Sequence, residues 1–143
     1  VKITDLLEDS AEALRNLPEL AGAPVIVEDL CDARSAVEGK FGKASRCVIV
    51  RFGGSAPVKQ GSEGPLFDRV GILCECYEKP CATRGLRDGL TLLDVAQHVA
   101  RALHGAKSEW MTSILFYRGI TPIEQLDGGV VCCAVKFDTT EAI

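Results

Sequence analysis

The chain has 143 residues, of which 47% are hydrophobic and 25% charged, and a formal net charge of −4 at pH 7. That length suits one domain able to bury about two-thirds of the surface its unfolded form exposes, and the composition excludes a disordered chain. The acidic balance argues against a protein that coats DNA or an anionic membrane, and no run reaches the ~18 apolar residues of a membrane helix. The opening residues Val1-Lys2-Ile3-Thr4-Asp5 carry no signal-peptide pattern, so a cytoplasmic protein is expected.

Residues 4–17 predict a first helix, with Thr4 as N-cap, Asp5 and Glu8 in the first turn, and Ile3, Leu7, Leu14 and Leu17 at helical spacing. Pro18 ends it, and Pro24 to Val27 reads as a short strand. A second helix is expected over 30–41, capped by Asp29, with Leu30, Val37 and Phe41 on one face and Gly42 as its stop. The β-branched run 46–52 predicts a strand. Residues 53–65 (GGSAPVKQGSEGP) have almost nothing to bury and predict a long flexible loop. The strand expected over 67–78 places Val70, Ile72, Cys74 and Cys76 on one face.

The next helix, about 89–104, is the most strongly patterned element. Leu92, Ala96, Val99 and Leu103 form its stripe, Leu93 and Ala100 flank it, and Thr91 with Asp94 resembles a capping box. His104 and Gly105 suit its C-terminus. Two further strands are expected at 111–117 and 130–137, the second preceded by the turn residues Asp127-Gly128-Gly129. The resulting order, α-β-α-β-β-α-β-β, predicts an α+β fold. It would have a mainly antiparallel four- to five-stranded sheet, about three helices packed on one side, and one domain over 1–143.

Seven cysteines stand out: Cys31, Cys47, Cys74, Cys76, Cys81, Cys132 and Cys133. The odd count and the expected cytoplasmic setting speak against a disulfide framework, and most of them lie in apolar runs where cysteine packs as a small hydrophobe. A zinc site is the rival reading. It is weakened because Cys132 and Cys133 would point to opposite faces of a strand, so at most one could join Cys74 and Cys76. The two histidines, His98 and His104, both fall on the long helix, where a surface position and a helix end account for them. A Cys–His pair remains open as an alternative. Neither Gly39-Lys40 nor Gly53-Gly54-Ser55 makes a phosphate loop or nucleophile elbow. No catalytic, cofactor or metal residue is therefore assigned. Arg84 and Arg87 read either as solvated loop cations or as contacts for an acidic partner, and Lys59 on the 53–65 loop joins them as an interaction candidate.

Three stretches together carry a resemblance. They are Arg46-Cys47-Val48-Ile49-Val50-Arg51 after Glu28-Asp29-Leu30, then Val70 to Pro80 leading through Arg84-Gly85 into Thr91 to His104, and finally Val135-Lys136-Phe137-Asp138-Thr139. In order and spacing the chain resembles tail-terminator and tail-completion proteins of tailed bacteriophages. That resemblance implies a structural virion protein, of phage or prophage origin, that assembles as a ring, sixfold by analogy, on the head-proximal end of the tail tube. There it would stop tube polymerisation and prepare head–tail joining. Its partners would be further copies of itself, the tail tube protein and a head–tail connector protein, with no membrane and no sequence-specific nucleic acid. Its location would be the host cytoplasm during assembly and then the virion tail. Two other readings remain: a small cysteine-dependent or metal-binding enzyme, and a bacterial oligomeric adaptor.

Overall fold

In the computed structural model, which describes residues 2–28, 41, 44–58, 66–79, 88–107, 111 and 113–143, the first apolar pattern becomes helix α1, Ile3–Arg15. Its buried side is Leu6, Leu7, Ser10, Ala11 and Leu14. Lys2, rather than Thr4, occupies the N-cap and makes no side-chain cap bond. Packing of the apolar stripe therefore stabilises this helix more than its cap does. Ser10 stays satisfied inside by donating to the Leu6 carbonyl oxygen at 2.8 Å. At the far end Arg15 donates to the Val25 carbonyl oxygen through Nε at 3.2 Å and Nη2 at 2.8 Å. The chain turns through a short 3-10 segment, Pro18–Leu20, before strand β1, Val25–Glu28.

Among the described residues the sheet has six strands, and most of their neighbours run antiparallel. Strands β2 (Arg46–Pro57), β3 (Phe67–Glu78), β4 (Phe116–Ile120), β5 (Glu124–Gln125) and β6 (Val131–Ala142) join β1 in the order β1-β2-β3-β6-β4, with β5 also on β6. The β1–β2 pair is parallel, and its register sets Val25 against Val48. The class agrees with the α+β expectation, whereas the counts and order do not. The short strand β5 was not foreseen, and the expected second helix lies outside the described residues apart from Phe41.

Helix α2, Asp88–Leu103, packs beside α1 on one face of the sheet. Leu92, Val95, Ala96, Val99 and Leu103 are buried there with Val48, Val50, Val70, Ile72, Cys74, Cys76, Cys133, Val135 and Phe137 in one core cluster. Leu93 and Ala100 are half-buried beside the stripe. Thr91 does not cap α2: it lies within the helix, and its hydroxyl donates to Glu78 Oε2 at 2.8 Å. Fully buried Glu78 also accepts from Arg46 Nε at 2.8 Å, so one carboxylate ties β2, β3 and α2 together.

Two strand boundaries differ from the sequence expectation for physical reasons. Met111 and Leu115 are apolar and were expected to start a strand, but they are buried in the helix-side core. The Leu115 backbone pairs with Ala106 and Gly105, which delays β4 to Phe116. The larger correction concerns 53–65. Residues 53–57 are not loop: β2 continues through them against β3, with Ser55 opposite Val70 and Pro57 opposite Asp68. A bulge between Phe52 and Ser55 absorbs the glycines, with Gly54 at φ +90°. Pro57 takes the last position of the strand, where a missing N–H costs least. The rest of that expected loop, 59–65, lies outside the described residues.

Candidate interaction surface

The sheet face opposite the helices changes character along its length. At one end Phe41, Cys47, Ile49, Tyr77, Val130 and Cys132 form a second, smaller buried cluster. Next comes a buried ion pair, in which Arg51 Nε donates to Glu75 Oε1. Burial works against the Arg51 cation, but the hydrogen-bonded Glu75 carboxylate and the Tyr77 hydroxyl outweigh it, and the guanidinium pKa is raised. Beyond this pair the face opens into a trough of about 380 Å³.

The floor of the trough is backbone. Gly53 and Gly71 face each other so closely that a Cβ on Gly71 would sit 3.1 Å from the Gly53 carbonyl oxygen. Arg69, Lys136 and Arg118 stand around it with Asp138. Arg118 is already engaged: its Nε donates to Asp138 Oδ2 at 2.9 Å, and its guanidinium lies 5.5 Å from the Phe116 ring centroid. Arg69 and Lys136 are exposed and make no ion pair among the described residues. Of the other polar groups in the trough lining, the Ser55 hydroxyl donates to Asp68 and the Asp138 carboxylate accepts from Arg118. The exposed cations Arg69 and Lys136 give the trough a chemistry that suits holding carboxylates or phosphates.

Past the trough the outer ends of β2 and β3 run on as an arm of the sheet, with β6 paired along β3 as far as Phe67–Ala142. Every residue from Phe52 to Pro57 is exposed, and Leu66 is 70% exposed at the end of the arm. Ser55 braces the arm by donating to Asp68 Oδ2 at 2.9 Å. On the far edge of the sheet, Phe116 and Tyr117 are each 40% exposed. A second groove of about 450 Å³ runs between α2 and β4, lined by Gln97, Ala100, Arg101, His104, Tyr117 and Ile120.

Of the residues singled out from the sequence, Lys59, Arg84 and Arg87 lie outside the described residues. The basic positions that the structure does bring together are Arg69, Arg118 and Lys136, which sequence reading missed. They sit on three different strands, so only the register discloses them. The nearest sequence signal was the lone Gly71 inside a strand pattern, a mark of close backbone approach.

The cysteine expectation holds for the described thiols: Cys47, Cys74, Cys76, Cys132 and Cys133 are free and buried. Burial pushes Cys74 up to about 12, and Cys76 is raised by its hydrogen bond to Cys133 and by burial. Cys132 and Cys133 do join opposite clusters. Among the described residues no group of three or more His, Cys, Asp or Glu side chains could hold a metal ion. The histidines engage other partners. His98 Nδ1 lies 3.6 Å from Glu19 Oε1, and His104 Nδ1 accepts the Tyr117 backbone N–H at 3.1 Å. Among the described residues no helix is long and apolar enough to cross a membrane.

No protein-family model matches this sequence, and no curated protein does. Among solved structures, the fold is similar to a chain from the virion of a native gene transfer agent (GTA) particle. The match has a TM-score of 0.61 at 13% sequence identity and covers 94% of this chain and 92% of that one. At that identity the likeness is one of fold, and it spans nearly the whole of both chains.

Proposed function

We propose that this chain is a structural virion protein of a tailed phage, prophage or phage-like particle. It caps the tail tube as a ring, ends tube polymerisation and prepares the tail for joining to the head. The observation that carries this reading is the near full-length fold likeness to a GTA virion chain. The surface supports it as well. Exposed aromatic residues at a sheet edge, an exposed β2 end and a cation-lined trough suit recurrent contacts between subunits. In this reading 1–143 acts as one domain, the ring is sixfold, and its neighbours are the tail tube protein and a head–tail connector. Lys59, Arg84 and Arg87 supply contacts to acidic partner surfaces. The deciding experiment is electron microscopy of particles made with and without the protein. The reading requires tubes of uncontrolled length and unjoined heads when the protein is absent. Tubes of normal length, joined to heads, would refute it.

A further inference from the structure

Two charged surfaces of this chain match each other yet cannot meet within one molecule. The first is the trough, where Arg69 and Lys136 stand exposed over the Gly53–Gly71 floor. The second is the outward side of α1, where Asp5, Glu8, Asp9 and Glu12 follow one another at helical spacing, opposite the buried Leu6, Leu7, Ala11 and Leu14. Asp5 and Glu8 make no ion pair among the described residues. α1 packs on the helix side of the sheet and the trough opens on the other. The sheet therefore separates the two surfaces.

We propose that the trough receives the α1 carboxylate stripe of a second copy of this chain, front to back. This rests on the ring reading above and gives it a contact. The dimensions agree. Asp5 to Glu12 spans about 10 Å at the 1.5 Å rise of a helix. Arg69 and Lys136 lie four register positions apart on the paired strands β3 and β6, about 13 Å along the sheet, and both side chains are long enough to close the difference. The glycine floor adds a steric reason: with no side chain at 53 or 71, the backbone itself is the surface, and a helix can approach it closely. Each copy presents one trough and one stripe, so the contact is heterologous and passes from copy to copy, the geometry from which rings close. A second copy is favoured over nucleic acid because the chain supplies the acidic complement itself and carries a net charge of −4.

The test is a charge swap, read by light scattering and sedimentation at about 0.15 M salt. The double variant Arg69→Glu/Lys136→Glu and the double variant Asp5→Lys/Glu8→Lys should each weaken self-association at least about tenfold. All four changes in one chain should restore it, as should mixing the two double variants. Thermal melts confirm that every variant is folded. If the wild type associates and the double variants match it, the contact is wrong while the ring reading stands. If the wild type stays monomeric at every concentration, the contact is overturned, and the ring reading is judged by the tail-end microscopy alone. If the trough variant loses binding to duplex DNA and self-association is untouched, the trough is a phosphate surface and the proposal fails.

Discussion

The two faces of the sheet do different work. Beneath α1 and α2 the cluster is continuous and apolar, running from Leu6 and Leu14 through Val48 and Cys76 to Phe137. Its polar insertions are tied down: Glu141 accepts from the Thr139 hydroxyl at 2.9 Å and the Ser113 N–H at 3.0 Å. The opposite face keeps only a small apolar cluster and then gives way to an ion pair, a glycine floor and exposed cations. Burial of apolar surface is non-directional and favours one broad face, whereas recognition needs groups left in water. In this molecule stability is concentrated on one side of the sheet, and the surface available to partners lies on the other side, the arm and the outer helix surface.

The largest effect should come from breaking the helix face. Leu103 is fully buried at the end of the α2 stripe. Leu103→Asp removes its packing and buries a carboxylate without a partner, a loss of about 4 kcal/mol or more, comparable with the whole stability of many domains. The variant should be unfolded or insoluble by circular dichroism. Leu93→Asp, at a half-buried position, should be distinctly milder. Equal melts for the two would show that the inner side of α2 is misplaced.

Arg51→Ala asks how much the opposite face contributes. It removes the guanidinium that neutralises Glu75, which is 8% exposed. The expected cost is about 3 kcal/mol in urea unfolding, less than that of the core variant. No change in midpoint would mean that the ion pair leaves stability untouched.

The sequence disclosed the helix face better than the open one, and the reason is periodicity. Leu92, Ala96, Val99 and Leu103 repeat at helical spacing on a single segment, and Val70, Ile72, Cys74 and Cys76 at strand spacing, so each buried side is written locally. The trough is written across three strands, and no local pattern places Lys136 beside Arg118 or Gly53 against Gly71. The arm was missed because glycine, serine and proline normally signal a loop. Here the partner strand β3 holds them in the ladder, and their polarity reflects exposure rather than irregularity. Thr91 misled for a related reason: it looked like a cap, but it was needed by Glu78 on a neighbouring strand.

Gly71→Val should cost less again. The new side chain would press on the Gly53 backbone at about the 3.1 Å contact a Cβ already makes. The arm carrying Gly53 is exposed and bulged and can yield, which limits the loss to about 1–2 kcal/mol. Amide exchange should quicken in residues 52–57 and leave α2 unchanged. Faster exchange throughout α2 would mean that the arm and the helix-side core unfold as one unit, and the contrast between the faces would weaken.

The smallest effect belongs to the outer side of α1. Asp5→Asn with Glu8→Gln removes two carboxylates that make no ion pair among the described residues. Asp5 lies in the first turn of α1, where a negative charge gains about 0.3–1 kcal/mol from the helix dipole, a contribution that salt screens. Neutralisation should therefore move the melting temperature by no more than about 1–4 °C, and still less at high salt. A surface that stabilises the fold so little is free to serve contacts, and its acidic character then reflects what it meets. The comparison that matters is between two readouts on one variant: near-native melting together with reduced self-association. A melting loss of many degrees would show that these carboxylates hold α1 in place, and the division between a stabilising side and a recognising surface would not extend to the outside of the helix.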